Sequence, residues 1–421
     1  MGSGAVGVDL YSPNSWVDGV PHDELEELRR TDPVHWQDMP EGGGYWAVLR
    51  HADVVEVARH PGVYSASLGG VVLEDLSPES LEMMRHMLLA MDPPVHARHR
   101  QPLAPTFGAR VIGEMEERIR AISRRVLAEA AERGDVDFVH DVAAHLPSQV
   151  VGELMGLPAE DWPRLHRWAE RQTAGQDPDV AGADATGEVG GGVTGEVGGG
   201  VDDTMSASVE MAMYFIELAA ARRAEPGTRE DLFALILATE VDGAPMDDVS
   251  VGSFCVQLVT AGNDTTRTML SSGLDALLDH PDQLEALRAD RSGLGAAVEE
   301  ILRFANPLHY FRRTATTDTV LHGTAIAGGD KVAMLYTSAN RDDAVFAEPH
   351  RFDIRRDPNP HLSFGIGGHF CLGARLARLE GRVFFDELLS TFGRIERTGA
   401  ARRVRSNLNN GLKALPLALG R

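Results

Sequence analysis

"HLSFGIGGHFCLGARLARLE", residues 361–380, holds one of the two cysteines of the chain, Cys371, among the glycines Gly365, Gly367, Gly368 and Gly373. Glycine permits backbone turns with positive φ and lets a flat ligand approach the main chain closely. The run "LGARLARLEGRVFFDELL" that follows has helical spacing, so Cys371 lies at a helix N-terminus. Free N–H groups and the helix dipole there favour a thiolate over a thiol. A lone cysteine is most often an inert buried residue. A thiolate in a glycine bulge beneath a close planar group is, in contrast, what axial ligation of haem iron requires.

The rest of the chain limits the choices. With 421 residues it exceeds the usual single-domain range, and 43% apolar residues suffice for a large core. A formal net charge of −23 disfavours nucleic acid and anionic membrane surfaces as partners. Cys255 and Cys371 cannot form a disulfide framework and fit a reducing cytosol. No signal peptide or membrane-length apolar run is read in the sequence, so a soluble cytoplasmic protein is expected.

Along the chain, "HDELEELRRTDPVHW", "HADVVEVARHP" and most of residues 109–295 carry helical periodicity, whereas "GYWAVLR" and "VLHGTAIAGGDKVAMLY" read as strands. The pattern predicts a mainly α protein with small β-sheets. It lacks the alternating rhythm and the G-x-G-x-x-G turn of a dinucleotide domain. "TGEVGGGVTGEVGGGV", residues 186–201, is a tandem octapeptide, half of it glycine, which cannot build a core.

Phe364, Gly365, Gly367, His369, Cys371 and Gly373 form F-G-x-G-x-H-x-C-x-G, which resembles the haem-binding signature of the cytochrome P450 monooxygenases. Three further segments agree in chain order. Glu300 and Arg303 match the family's E-x-x-R, and the resemblance joins them to Arg351 of "EPHRF" in a buried ion network. Ala261-Gly262-Asn263-Asp264-Thr265 matches A-G-x-D/E-T of the long central helix. Read alone, Thr265 simply bonds a carbonyl one turn back; the resemblance implies a groove for dioxygen there, with Asp264 and Thr265 relaying protons. His96 and Arg100 in "DPPVHARHR", Arg313 in "FRRTATTD" and His369 are implied contacts to the haem propionates. Arginine suits a carboxylate because its planar fork donates two parallel hydrogen bonds.

The likeness runs from about Pro13 to Pro416. It implies one domain over residues 1–421, a triangular prism of helices around a buried haem b ligated by Cys371. It also places the octapeptide pair of 186–201 between two helices roofing the substrate channel, where a lid and an inert insertion are both open readings. The implied reaction is hydroxylation or epoxidation by a monomer, using O2 and two electrons from a ferredoxin and its reductase. A basic docking patch is expected near Arg375 and Arg378. The implied substrate pocket comprises Leu258, Ala261, Leu308, His309, Tyr310, Phe311 and Asn409. His309 and Asn409 would be left unpaired by a wholly apolar substrate, which hints at a steroid, terpenoid or polyketide intermediate carrying some oxygen. The rival readings are a haem-thiolate peroxygenase or isomerase, and a haem-binding protein without turnover.

Overall fold

The computed structural model describes residues 7–173, 177, 179, 199–224, 231–241 and 243–420. Residues 186–198 of the octapeptide pair lie outside them, and with them the lid reading. Eight helices carry the site: α1 (Val95–Arg100), α2 (Glu116–Arg133), α3 (His145–Leu154), α4 (Trp162–Thr173), α5 (Gly199–Ala224), α6 (Asp248–Asp279), α7 (Leu294–Ala305) and α8 (Ala374–Thr391).

Helix α6 is the axle. The Asp247 carboxylate caps it, accepting from the Ser250 amide at 2.7 Å, and Pro281 stands just past its end. Its 32 residues span about 48 Å at 1.5 Å per residue. Helices α3, α4, α5 and α7 all pack on it. Small residues set two of these approaches. A Cβ on Gly252 would lie 3.1 Å from the Ala212 carbonyl of α5, and one on Gly262 would lie 2.7 Å from Val151 of α3. Beyond α7, α8 lies against α2, joined by Arg120 to Glu387 at 2.6 Å and Arg382 to Glu116 at 2.7 Å.

Five strands form the main sheet: β1 (Val34–Asp38), β2 (Gly44–Val48), β3 (Tyr64–Ser65), β4 (Tyr310–Ala315) and β5 (Lys331–Leu335), in the order β1-β2-β5-β4-β3. Only β5 and β2 pair in parallel; the register Leu335 opposite Tyr310 and Lys331 opposite Thr314 fixes β4. Successive side chains of a strand face opposite sides. Phe311 and Arg313 therefore share one face of β4, and Tyr310 and Arg312 the other.

Behind α7 lies the ion network, with one change from the expected membership. Glu300 and Arg303 are fully buried and joined by two hydrogen bonds of 2.8 Å. The third member is Arg356, whose Nε donates to Glu300 at 3.2 and 3.3 Å. Arg351 has its side chain 55% exposed, paired with Glu348, and contributes only its carbonyl, which accepts from Arg303 at 3.0 Å. The physical reason is direction. In this irregular stretch the Arg351 backbone turns inward while its side chain turns to solvent.

The two arginines therefore differ in what their removal costs. Arg356→Ala leaves a buried carboxylate short of a partner and is expected to destabilise by on the order of 3 kcal/mol. Arg351→Ala removes a surface pair worth less than about 1 kcal/mol. Denaturant midpoints of the two variants check this; equal midpoints would return Arg351 to the network.

Candidate functional site

Helix α6 presents a stripe to a cavity that the Cys371 loop also lines. Gln257 and Leu258, Ala261 and Gly262, Thr265 and Thr266, and then Met269 all line it. Steps of four residues keep them on one helix face. The Thr265 hydroxyl donates to the Ala261 carbonyl at 2.7 Å. Asp264 lies off this stripe, buried in an ion pair with Arg267 and accepting from the Asn409 side chain. The two residues expected to relay protons are thus adjacent in sequence but only Thr265 reaches the cavity.

The cysteine loop is hung from the ion network. Arg303 donates to the Asn340 carbonyl at 2.9 Å. The Asn340 side chain in turn accepts from the Leu362 amide at 2.7 Å and donates to Ser363 at 2.9 Å. Ser363 donates to the Leu302 carbonyl of α7 at 2.7 Å, and the Cys371 amide returns to the Phe364 carbonyl at 2.8 Å. Two turns in this loop need glycine: Gly365 has φ +66° and Gly367 has φ +74°. A Cβ on Gly367 would also lie 2.9 Å from the Ala58 carbonyl. Burial pushes the Cys371 thiol upward, while the Gly373 amide, Arg100, Arg378 and the Ala374 amide pull it down. The expected helix-terminus effect is present, but burial outweighs it.

His96, Arg100, Arg313, Phe364, Gly365, His369, Cys371 and Gly373 all line the same cavity. The His96 and His369 rings stand 4.3 Å apart, and the Nε2 of each is buried without a hydrogen-bond partner. Burial, then Arg100 and Arg313, lowers His96 to about 4; burial, then Arg313 and His96, lowers His369 to about 3. Two neutral imidazoles and two guanidiniums beside one thiol suit a dianionic planar ligand with a metal centre. Unpaired buried donors carry a desolvation cost until an acceptor meets them. The residues present fit haem b, with Cys371 as its sulfur ligand.

The expected substrate pocket divides in two. Leu258, Ala261, Leu308 and Phe311 line the cavity, whereas His309, Tyr310 and Asn409 do not. Strand alternation turns Tyr310 away, where its hydroxyl accepts from the Leu73 amide at 3.2 Å. His309 is buried against Trp16, with ring centroids 4.0 Å apart, and its Nδ1 pairs with Thr337 at 3.0 Å. Asn409 is occupied by Asp264 and by the Gly411 amide. All three polar groups are satisfied within the protein, so the hint of an oxygen-bearing substrate drawn from His309 and Asn409 is withdrawn. On α8, Arg375 is exposed, but Arg378 is clamped by Glu299 at 2.6 and 2.8 Å and lies over the Phe364 ring.

Gln257 and Glu380 are among the lining residues that escaped the sequence reading. Gln257 continues the α6 stripe one turn before Ala261, a position the four-residue step identifies. Glu380 is 1% exposed, with its Oε2 unpartnered, and burial alone raises its carboxyl to about 8. An acid within the apolar face of "LARLEGRVFF" was the available signal.

The family profile described as Cytochrome P450 matches residues 201–398. A steroid C26-monooxygenase of Mycolicibacterium smegmatis is 37% identical over 94% of this chain and 90% of its own. A methyl-branched lipid omega-hydroxylase of Mycobacterium tuberculosis is 36% identical over 98% and 94% respectively. A Mycobacterium marinum cytochrome P450 solved in complex with pseudoionone superposes with a TM-score of 0.89, at 35% identity, covering 98% of both chains.

Glu380 makes stability fall with pH. A free glutamate titrates near 4.5 and the folded one at about 8. Below the lower value both states are protonated; between the two, the unfolded chain releases a proton that the folded one keeps. Stability contributed by the neutral acid is therefore lost as pH rises from about 4.5 to 8. Glu380→Gln removes this titration. Its denaturant midpoint is expected to gain on that of the unsubstituted protein between about pH 5 and about pH 8; a constant gap would show a normally titrating carboxylate.

Proposed function

This chain belongs to the cytochrome P450 family, and from that premise we propose that it hydroxylates the end of a branched isoprenoid or steroid side chain, with electrons from a ferredoxin. It is a haem-thiolate monooxygenase of hydrophobic substrates. When bound, haem b supplies the reduction of O2 and the transfer of one oxygen atom to a C–H bond. The observation that carries the reading is one cavity in which the Cys371 loop and the α6 stripe share a wall.

The chain's own residues have separable roles in this reading. Arg100, Arg313, His96 and His369 hold the propionates. The Asn340–Ser363 connection keeps the cysteine loop at its height above α8. Thr265 holds a proton at Oγ1, now directed at Ala261 O, and can turn it towards the cavity. Asp264 must release Arg267 before it can exchange a proton with solvent. Leu258, Leu308, Phe311 and Ala261 bury the substrate and exclude water. The relatives' names place their oxidations at chain termini, C26 of a steroid and the omega carbon of a branched lipid. That likeness supports a terminal carbon here.

No flavin or nicotinamide module was read in the sequence, which supports an external electron donor. Arg375 is the exposed cation on α8 four residues past Cys371, with no ion-pair partner among the described residues. An acidic ferredoxin would meet it on this face, whereas Arg378 is committed to Glu299.

Reduced wild-type protein under carbon monoxide is expected to give the thiolate-type Soret band, and Cys371→Ser to lose it together with turnover. With ferredoxin, reductase and NAD(P)H, branched isoprenoids should be hydroxylated at a terminal methyl. Turnover with hydrogen peroxide but never with the electron-transfer chain would favour the peroxygenase reading instead. Separately, Arg375→Glu should slow reduction by the ferredoxin about tenfold at low salt, with substrate affinity unchanged. An equal rate removes Arg375 from the docking face.

A further inference from the structure

Gln257 lies on the cavity wall, part-buried, two helical turns before Thr265 on the same stripe of α6. Its Oε1 accepts from the Leu89 amide at 3.4 Å. A backbone N–H can only donate, so the contact fixes which end of the carboxamide faces Leu89. The –NH2 end is then the one left over, and it has no hydrogen-bond partner among the described residues. Around it the wall is apolar: Leu88 and Leu89 on one side, with Phe254, Leu258 and Ala261 from neighbouring turns of α6. The remaining polar lining residues belong to the cysteine loop, the arginine–histidine cradle with Tyr336, Thr265 and Thr266 of α6, or Glu380 of α8, nine residues past Cys371.

A pocket of this kind takes most of its affinity from apolar surface and its orientation from a few fixed polar groups. Eight residues of helix separate Gln257 from Thr265, about 12 Å at 1.5 Å per residue. We propose that Gln257 is a specificity-determining residue that donates a hydrogen bond to an oxygen on the substrate, at the end remote from the carbon attacked. This deepens the proposed function and rests on it. The substrate is then an elongated branched apolar chain whose far end carries an acceptor such as a ketone. The acceptor sits at Gln257, the apolar body lies along Leu258 and Ala261, and the terminal methyl reaches the Thr265 level. The same donor disfavours a pure hydrocarbon, which would strip water from the –NH2 group and offer nothing in return.

The test uses haem-loaded protein and two probes: hexahydropseudoionone, a branched methyl ketone, and the hydrocarbon in which its carbonyl carbon is a methylene. Dissociation constants come from titration calorimetry, with the spin-state shift as a second readout. Wild type is expected to prefer the ketone by roughly 3- to 10-fold beyond the intrinsic difference in partitioning between the two probes. Gln257→Leu removes donor and acceptor; Gln257→Glu, measured at about pH 9 so that its carboxyl is ionised, keeps an acceptor for the Leu89 amide but removes the donor. Both variants are expected to lose the preference while still binding the hydrocarbon. If both keep the ketone preference, or if only Gln257→Leu loses it, Gln257 is a strut for Leu89 and the proposal fails while the terminal-hydroxylase reading stands. If wild type binds neither probe although its carbon monoxide spectrum is normal, the branched-chain reading itself fails, and this proposal with it.

Discussion

Arg303 has five N–H donors, and the structure spends all five. Two go to Glu300, and one each to the carbonyls of Asn340, Pro349 and Arg351. No rotation of the guanidinium can keep this set, so the interaction has one geometry. As a contribution to stability a buried pair is ambiguous, because desolvation of both charges offsets their attraction. As a constraint it is strict. It fixes Asn340, whose side chain fixes Leu362 and Ser363, which begin the loop that ends on Cys371. The position of the sulfur is thus decided some ten residues before it and on the far side of α7.

Burial acts on every titratable group of the cavity in the same sense. His96 and His369 are held neutral, while the Cys371 thiol and the Glu380 carboxyl are held protonated. The site resists its own ionisation, and the cations Arg100 and Arg313 are the exceptions. A ligand that brings a metal for the sulfur and carboxylates for the arginines answers each of these groups in turn. This explains why a single family of cofactor suits a wall of such mixed chemistry.

What the sequence made legible follows from what it encodes by spacing. Contiguous motifs such as the Cys371 loop and Glu300–Arg303 carry their geometry in a few residues, and the cavity gathers the haem contacts named from them. Irregular segments carry no such period: in "EPHRFDIRRD" nothing distinguishes Arg351 from Arg356, yet only the latter turns inward. Strand alternation was legible and would have separated Phe311 from Tyr310. Asp264 is a subtler case, since its partners Arg267 and Asn409 lie one turn and 145 residues away. Its neighbour Thr265 occupies the cavity-facing position, and a motif read as a unit conceals that division.

The division of labour along α6 also bears on how a carbon is chosen. Burying apolar surface yields about 25 cal/mol per Å², so a branched chain gains several kcal/mol from the wall whichever way it enters. That energy is non-directional and cannot tell one end of the chain from the other, nor register from slippage by one methylene. A hydrogen bond of about 1 kcal/mol is small beside it, yet it is present in one register only. Placing this donor about 12 Å up the helix from Thr265 makes the substrate's length, measured from its oxygen, the quantity that decides which methyl arrives at the reacting end. Affinity and regioselectivity then come from different residues, and α6, with helices packed around it, serves as the ruler between them.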